Sequence, residues 1–486
     1  VLIGIGVILR AYNFPAPYEQ RDSDEVGYVQ SSLSVLEGSV PGFKAAPAGP
    51  QIWLGWGYAA AKSARYLIAP TAEERASAMA LRPYVALNHA IFDCYREMGG
   101  MRIFEIAVTS FVSIGSIWAA YRLGMIYAGF AGGVLVGGLT SVLPLFVNLS
   151  TQSRPYSLAW SFGIFSLFLA AKNAASARWV LSACLLGLSI AARIEMLCIL
   201  PFVVGEYALA NAGNRIRLTW RVTLLSLVVL CAVAPWFPLS LVGNLKTIVA
   251  VRFIGTPDTM PSPLQTITEI AIAQGLLLAI VLLPMGVGCR SQDQHRRAWL
   301  VCLAILLALT MLRSTGYGLQ HQGPAVLILV IYSAIGLRCI GERWPRAALP
   351  IAIAALLLSL TQSLRMIHAN RQEYVPADAT DWIERNVPAG ATVYWCPGLA
   401  RLPLPTPEAA DAIWRPLSDP HAYERKLQWG TGRMGTAVSE PPRVLGEGPH
   451  SVPLLVYPRR QKPFIRAKVQ CSHLRWLRCF RNARAD

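Results

Sequence analysis

The sequence predicts an all-α polytopic membrane bundle of about 11 transmembrane helices, with amphipathic helices on the membrane surface and a small external α/β domain at the C-terminus. Three observations predict it. Of 486 residues, 54% are hydrophobic and only 15% are charged, well below the charged share of an ordinary soluble domain. The positive mean hydropathy, +0.42, comes from blocks rich in Leu, Ala, Val and Ile, each about 16 to 22 residues long, the length that crosses a bilayer's hydrocarbon core at about 1.5 Å per helical residue. Between the blocks, basic residues fall on alternate connections. A disordered chain or a purely soluble protein is excluded.

In chain order, spans are expected at about 1–12, 101–121, 127–148, 156–171, 179–192, 196–210, 222–242, 268–288, 298–313, 323–340 and 348–364. The chain opens inside an apolar run, Val1 to Leu9, without an initiating Met, so a first helix cut short is expected. One set of connections carries Arg122; Lys172 and Arg178; Arg215, Arg217 and Arg221; Arg290, Arg296 and Arg297; and Arg338, Arg343 and Arg346, against only Asp293 and Glu342. That bias is the positive-inside pattern and puts these loops in the cytoplasm. It also accounts for part of the net charge of +17 without nucleic acid, for which no motif is present.

The opposite face then receives a long segment from 13 to 100, a turn at 149–155, loops at 243–267 and 314–322, and the tail from 365. Chemistry is expected there. Val26–Leu36 and Gln51–Ile68 read as amphipathic helices on either side of the Gly/Pro-rich stretch Gly38–Pro50, lying along the membrane as a roof. The domain division expected is 1–364 for the membrane module, external loop 13–100 included, and 365–486 for the external domain. In that tail, Asp378–Asn386 reads as a helix, with strands at Val393–Trp395 and Val452–Tyr457. Its basic excess, about 18 Lys/Arg against 11 Asp/Glu, suits an anionic acceptor or a headgroup surface. Six of the ten cysteines lie in or beside apolar segments and no CxxC occurs, so most are expected to be small core residues.

The stretch Asp22-Ser23-Asp24-Glu25-Val26-Gly27-Tyr28 places three carboxylates within four residues, just after the first helix. Clustered acids near an apolar surface raise one another's pKa, which suits a general base or a metal ligand; a solvated loop capping the next helix fits the same residues. Asp24-Glu25-Val26 with Tyr28 and Gly38, and Ser153-Arg154-Pro155-Tyr156-Ser157-Leu158 opening the fourth helix, resemble the GT-C membrane glycosyltransferases, in particular the protein O-mannosyltransferases and bacterial aminoarabinose transferases.

The resemblance implies an inverting transfer of a monosaccharide from a polyprenyl-phosphate donor to a hydroxyl of a protein, lipid or glycan, on the periplasmic face of a bacterial inner membrane. It implies Asp24 as the catalytic base and Glu25 as its companion, orienting acceptor or base, with Asp22 a weaker candidate. Chemistry without a metal is implied too, although the acidic cluster would also suit a divalent cation. The anionic leaving phosphate calls for cations near the external helix ends: Arg154 first, with Arg193, Lys44 and Arg252 beside it. Snorkelling to lipid headgroups fits each of these equally, and Arg193 with Glu195 also fits a structural ion pair. Tyr156 belongs to the same motif. His321 suits phosphate or sugar hydroxyls, or a structural hydrogen bond at a helix start. Trp53 and Trp56 suit a sugar face or interfacial anchoring. Two elements of the relatives are missing: the Arg soon after the Asp-Glu pair, where Gly27 stands, and a His-Pro-Pro element, replaced by Ala46-Pro47-Ala48-Gly49-Pro50. The alternative from another class is a transporter or flippase for an amphipathic substrate, which predicts paired repeats and mid-bilayer charges; no repeat is visible.

Overall fold

A computed structural model describes residues 1–15, 28, 32, 48–68, 98–172, 178–210, 215–237, 272–285 and 323–372. Every regular element among them is a helix. In order these are α1 (Leu2–Tyr12), α2 (Gly49–Ile68), α3 (Met98–Val142), α4 (Pro144–Ser150), α5 (Tyr156–Lys172), α6 (Arg178–Ala192), a 3-10 turn (Ile194–Ile199), α7 (Leu200–Ala210), α8 (Arg215–Val233), α9 (Leu277–Met285), α10 (Gly323–Arg343) and α11 (Ala348–Gln372). Each span expected from the sequence has a helix over part of its length, except 298–313, which lies outside the described residues.

Among the described residues, four stretches are long and apolar enough to cross a membrane: 100–142 in α3, 216–233 in α8, 323–343 in α10 and 348–370 in α11. The chain is a multi-pass membrane protein. Its outer faces agree: Phe111, Ile216, Trp220, Leu224, Val228 and Leu357 are exposed, a surface that acyl chains cover and water would penalise. Cys198 and Cys231 are exposed as well, so the expectation that most cysteines are core residues fails for these two.

The bundle is built around α3, which packs against α1, α5, α10 and α11, while α6 fits between α5 and α8. Its buried core runs from Leu135 and Leu139 on α3 through Ile164 and Leu167 on α5 to Ile328 and Ile331 on α10. The sequence breaks α3 between 121 and 127; the structure turns it at Ala128 and Gly129 instead. Gly129 stands at φ 62°, a conformation a Cβ disfavours, so the turn falls on the glycine. The two arms then close face to face, and a Cβ on Gly124 or on Gly132 would collide with the carbonyl of the other.

The expected span 127–148 is also divided. α3 ends at Val142 and α4 starts at Pro144, because proline has no N–H to continue the ladder and is at home in a first helical turn. The next free donor, the Leu145 N–H, goes to Gln274 Oε1 at 2.8 Å, and the Gln274 carbonyl accepts from Ser359 Oγ at 2.9 Å. Gly275, at φ 67°, and Leu276 interrupt the expected span 268–288 after helical residues 272–274, so that α9 begins at Leu277. α8 starts at Arg215, seven residues before the expected boundary. Long basic stems can follow a helix past the apolar boundary while their heads stay hydrated.

The buried charged side chains among the described residues include Arg10 and Glu206. Arg10 of α1 is buried, donating from Nε and Nη2 to Ser113 Oγ at 3.1 and 2.9 Å and from Nη1 to the carbonyls of Gly6 and Ser141 at 3.1 and 3.2 Å. All four bonds go to neutral oxygens. Glu206 of α7 is buried and accepts from Tyr127 Oη at 2.9 Å. By contact density the chain divides into two units, Val1–Tyr374 and Val375–Asp486. The expected division after 364 falls within α11, and the expected external domain, 365–486, lies outside the described residues beyond Gln372. Of the expected surface helices, Gln51–Ile68 is α2; only Tyr28 and Ser32 of Val26–Leu36 are described.

Candidate active site

Sequence places Arg154 in the short connection between α4 and α5, where Pro155 has no N–H and suits the entry to a helix. The connection is tight: the Arg154 N–H donates to the Gln152 carbonyl at 2.8 Å, and the Ala159 N–H to that of Pro155 at 2.9 Å. Thr151, Gln152, Ser153 and Arg154 are all buried, Arg154 with 1% of its surface exposed. Its guanidinium lies over the Tyr156 ring, 5.1 Å from the centroid.

A second cation reaches the same ring. α6 ends at Ala192, and Arg193 adopts an extended backbone at φ −148° and ψ 122° before the 3-10 turn. Its guanidinium carbon stands 4.3 Å from the Tyr156 centroid. Its nitrogens are engaged: Nε and Nη2 donate to Glu195 Oε2 and Oε1 at 3.1 and 2.5 Å, and Nη1 to Tyr28 Oη at 3.3 Å. The ion pair with Glu195 that the sequence left open is formed. Burial pushes the Arg193 guanidinium down, but the Glu195 carboxylate together with the Tyr156 and Tyr28 hydroxyls holds the group above the ordinary arginine range. Arg193 stays charged at every working pH, with Glu195 balancing it.

A carboxylate that sequence reasoning did not single out completes the pole. Glu105, in the second turn of α3, has no exposed surface. It accepts from Gln51 Nε2 on α2 at 2.7 Å, from Ser32 Oγ at 3.4 Å and from Ser153 Oγ. One side chain thus joins α3, α2, Ser32 and the Arg154 connection. The signal was present in the sequence: Arg102 and Glu105 are charges at the mouth of an apolar span, where burial is costly. Just before α2, Ala48 is buried at φ 46°, a left-handed conformation costing about 1–2 kcal/mol for an L-residue; its N–H bonds the Ala192 carbonyl at 3.2 Å, next to Arg193.

Three buried side-chain oxygens here have no hydrogen-bond partner among the described residues: Gln51 Oε1, Gln152 Oε1 and Thr109 Oγ1. Each such group costs about 1–3 kcal/mol when left unsatisfied. Trp53 is exposed, and its indole N–H donates to the Val233 carbonyl at 2.8 Å, fastening α2 to the end of α8, with the Trp56 ring 5.7 Å away.

Of the residues predicted for the site, the structure brings together Arg154, Tyr156 and Arg193. Asp24, Glu25, Lys44, Arg252 and His321 lie outside the described residues, as does Asp22. No group of three His, Cys, Asp or Glu suited to a metal occurs among the described residues, which do not include the acidic cluster.

Residues 86–238 match the model of the family described as dolichyl-phosphate-mannose-protein mannosyltransferase. The matched stretch holds Glu105, Arg154, Tyr156, Arg193 and Glu195 and begins after Asp24 and Glu25. In fold, the chain is similar to ArnT from Cupriavidus metallidurans bound to undecaprenyl phosphate: TM-score 0.52, 11% identity, covering 88% of this chain and 90% of that one. A weaker likeness is to the Archaeoglobus fulgidus oligosaccharyltransferase tethered with an acceptor peptide containing the NVT sequon, with TM-score 0.47, 11% identity and coverage of 80% and 57%. No curated protein matches in sequence. The resemblance read from the two motifs holds: this is a membrane protein with the GT-C glycosyltransferase fold.

Proposed function

We propose that the protein is an inverting glycosyltransferase that takes a monosaccharide from a polyprenyl-phosphate carrier and gives it to a hydroxyl of a protein, lipid or glycan acceptor. The observation that carries this reading is the convergence of Arg154 and Arg193 on Tyr156, with Tyr28 bonded to Arg193. Tyr28 is fully buried at that pole. Asp24 precedes it by four residues, a stretch of chain that reaches at most ~14 Å.

In this reading the acceptor oxygen attacks the anomeric carbon from the side opposite the phosphate. The new O–C bond forms as the C–O bond to phosphate breaks. Asp24 takes the hydroxyl proton, Glu25 orients the acceptor or the base, and the phosphate leaves with the bonding electrons. Arg154 stabilises the departing charge, and Arg193, with Tyr156, holds the Tyr28 end of the acidic segment. Lys44, Arg252 and His321 are further candidates for the donor. The reaction requires no metal. The site lies on the non-cytoplasmic face of a bacterial inner membrane, in the periplasm, because the basic connections occupy the other ends of the helices. The unit beyond residue 374 is a periplasmic domain. ArnT, with undecaprenyl phosphate bound, supports the class of carrier.

The test is transfer in proteoliposomes from a panel of polyprenyl-phosphate sugars, comparing wild type with Asp24→Asn. Loss of transfer with donor binding retained is expected. Equal activity in the variant refutes Asp24 as the base. The transporter reading draws support from the buried charges Arg10 and Glu206; it predicts movement of the lipid-linked sugar between leaflets with no product formed.

A further inference from the structure

We infer that Gln51, Gln152 and Thr109 form a subsite for the hydroxyl groups of the donor's sugar, separate from the cationic position that takes its phosphate. This rests on the glycosyl-transfer reading and specifies how the donor would be read. Three facts support it. The side-chain oxygens of all three residues are buried and have no hydrogen-bond partner among the described residues. The orientation of Gln51 is set: its amide nitrogen donates to Glu105 Oε2 at 2.7 Å, so its carbonyl points elsewhere. The other two also stand next to the Glu105 bonds in the chain. Gln51 and Ser153 share Glu105, Gln152 precedes Ser153, and Thr109 lies one turn beyond Glu105 on α3.

Two amide carbonyls and a hydroxyl ask for donors, and a neutral polyol supplies them. A phosphate, which only accepts, cannot satisfy the carbonyls. In the sequence Gln152-Ser153-Arg154, acceptor and guanidinium sit two residues apart. That arrangement suits a ligand whose phosphate and hydroxyls are covalently joined. Glu105 is then a positioning residue: it meets no ligand itself and fixes the Gln51 carbonyl.

The experiment measures binding to the full-length protein in nanodiscs of undecaprenyl phosphate, undecaprenyl-phosphate mannose and undecaprenyl-phosphate aminoarabinose. Wild type is compared with Gln51→Met, Gln152→Met and Thr109→Val, each checked for an unchanged thermal midpoint. Each variant is expected to weaken the sugar-bearing lipid that wild type prefers by about 3- to 10-fold, the range of one neutral hydrogen bond, and to leave bare undecaprenyl phosphate within about twofold. Gln51→Met may be replaced by Gln152→Met where the former unfolds, since Gln152 takes no part in the Glu105 bonds. Equal weakening of bare and sugar-bearing lipids, or weakening of neither, overturns the subsite while leaving the transferase reading intact. A wild type that binds all three lipids alike and transfers no sugar overturns that reading and the subsite with it.

Discussion

Arg193 and Glu195 give the sharpest test of how the site is held. The pair is nearly closed to solvent, with side-chain exposures of 9% and 11%, and both guanidinium edges are used. Removing one partner of a buried pair costs about 3–5 kcal/mol, much of it from the charge left behind. Arg193→Met also gives up the Tyr28 bond and the Tyr156 ring, the latter about 0.5–2 kcal/mol. A double-mutant cycle with Arg193→Met and Glu195→Gln should therefore return a coupling of about 2–4 kcal/mol, within the range for close charge pairs. Reversible unfolding in detergent measures it. Arg193→Lys should restore little, since an ammonium can neither bridge both carboxylate oxygens nor stack on the ring. A coupling of about 0.5 kcal/mol or less, typical of an exposed pair, would refute the anchoring role and leave Arg193 available for phosphate. The pH dependence has a definite sign: with its folded pKa raised, Arg193 contributes fully below the ordinary arginine range and loses that contribution only as pH rises through the higher folded value. The wild-type unfolding midpoint should show no step from this group between about pH 7 and 10.

Arg154→Gln should raise the KM for the lipid-linked donor by about 10-fold or more, the scale of one charge-assisted bond, with Arg154→Lys intermediate; steady-state transfer at varied donor reads it. Gly132→Ala should destabilise the fold by about 1–3 kcal/mol because its Cβ meets the backbone carbonyl of Gly124, which cannot swing aside as a side chain would. Thermal midpoint and yield of monodisperse protein measure it, and an unchanged midpoint would contradict the close approach of the α3 arms. EDTA at millimolar concentration should leave transfer unchanged; a loss restored by a divalent ion would assign the Asp22–Glu25 cluster to a metal instead.

Much of this protein follows from its sequence. The bilayer requires backbone groups to be satisfied within each segment, so apolar blocks of sufficient length must be helices wherever they cross lipid, and charge asymmetry orders their connections. That is why α5, α6, α10 and α11 begin within a residue of their expected starts, and why Arg154 was expected at a helix mouth. Local chemistry does not determine which helix ends meet. The turn of α3 fell on Gly129 because two glycine-lined faces could close there; the α3–α4 break holds because Gln274, 129 residues away, supplies an acceptor to Leu145. The partners of Glu105 come from residues 32, 51 and 153. No spacing rule joins these positions. Sequence left open whether Arg193 pairs with Glu195, and the geometry pairs them. It gave no sign that Gln51, Gln152 and Thr109 would be buried with oxygens unspent. Helix formation is set within one segment by solvent and backbone, whereas burial and pairing at the site arise only when several segments pack against one another.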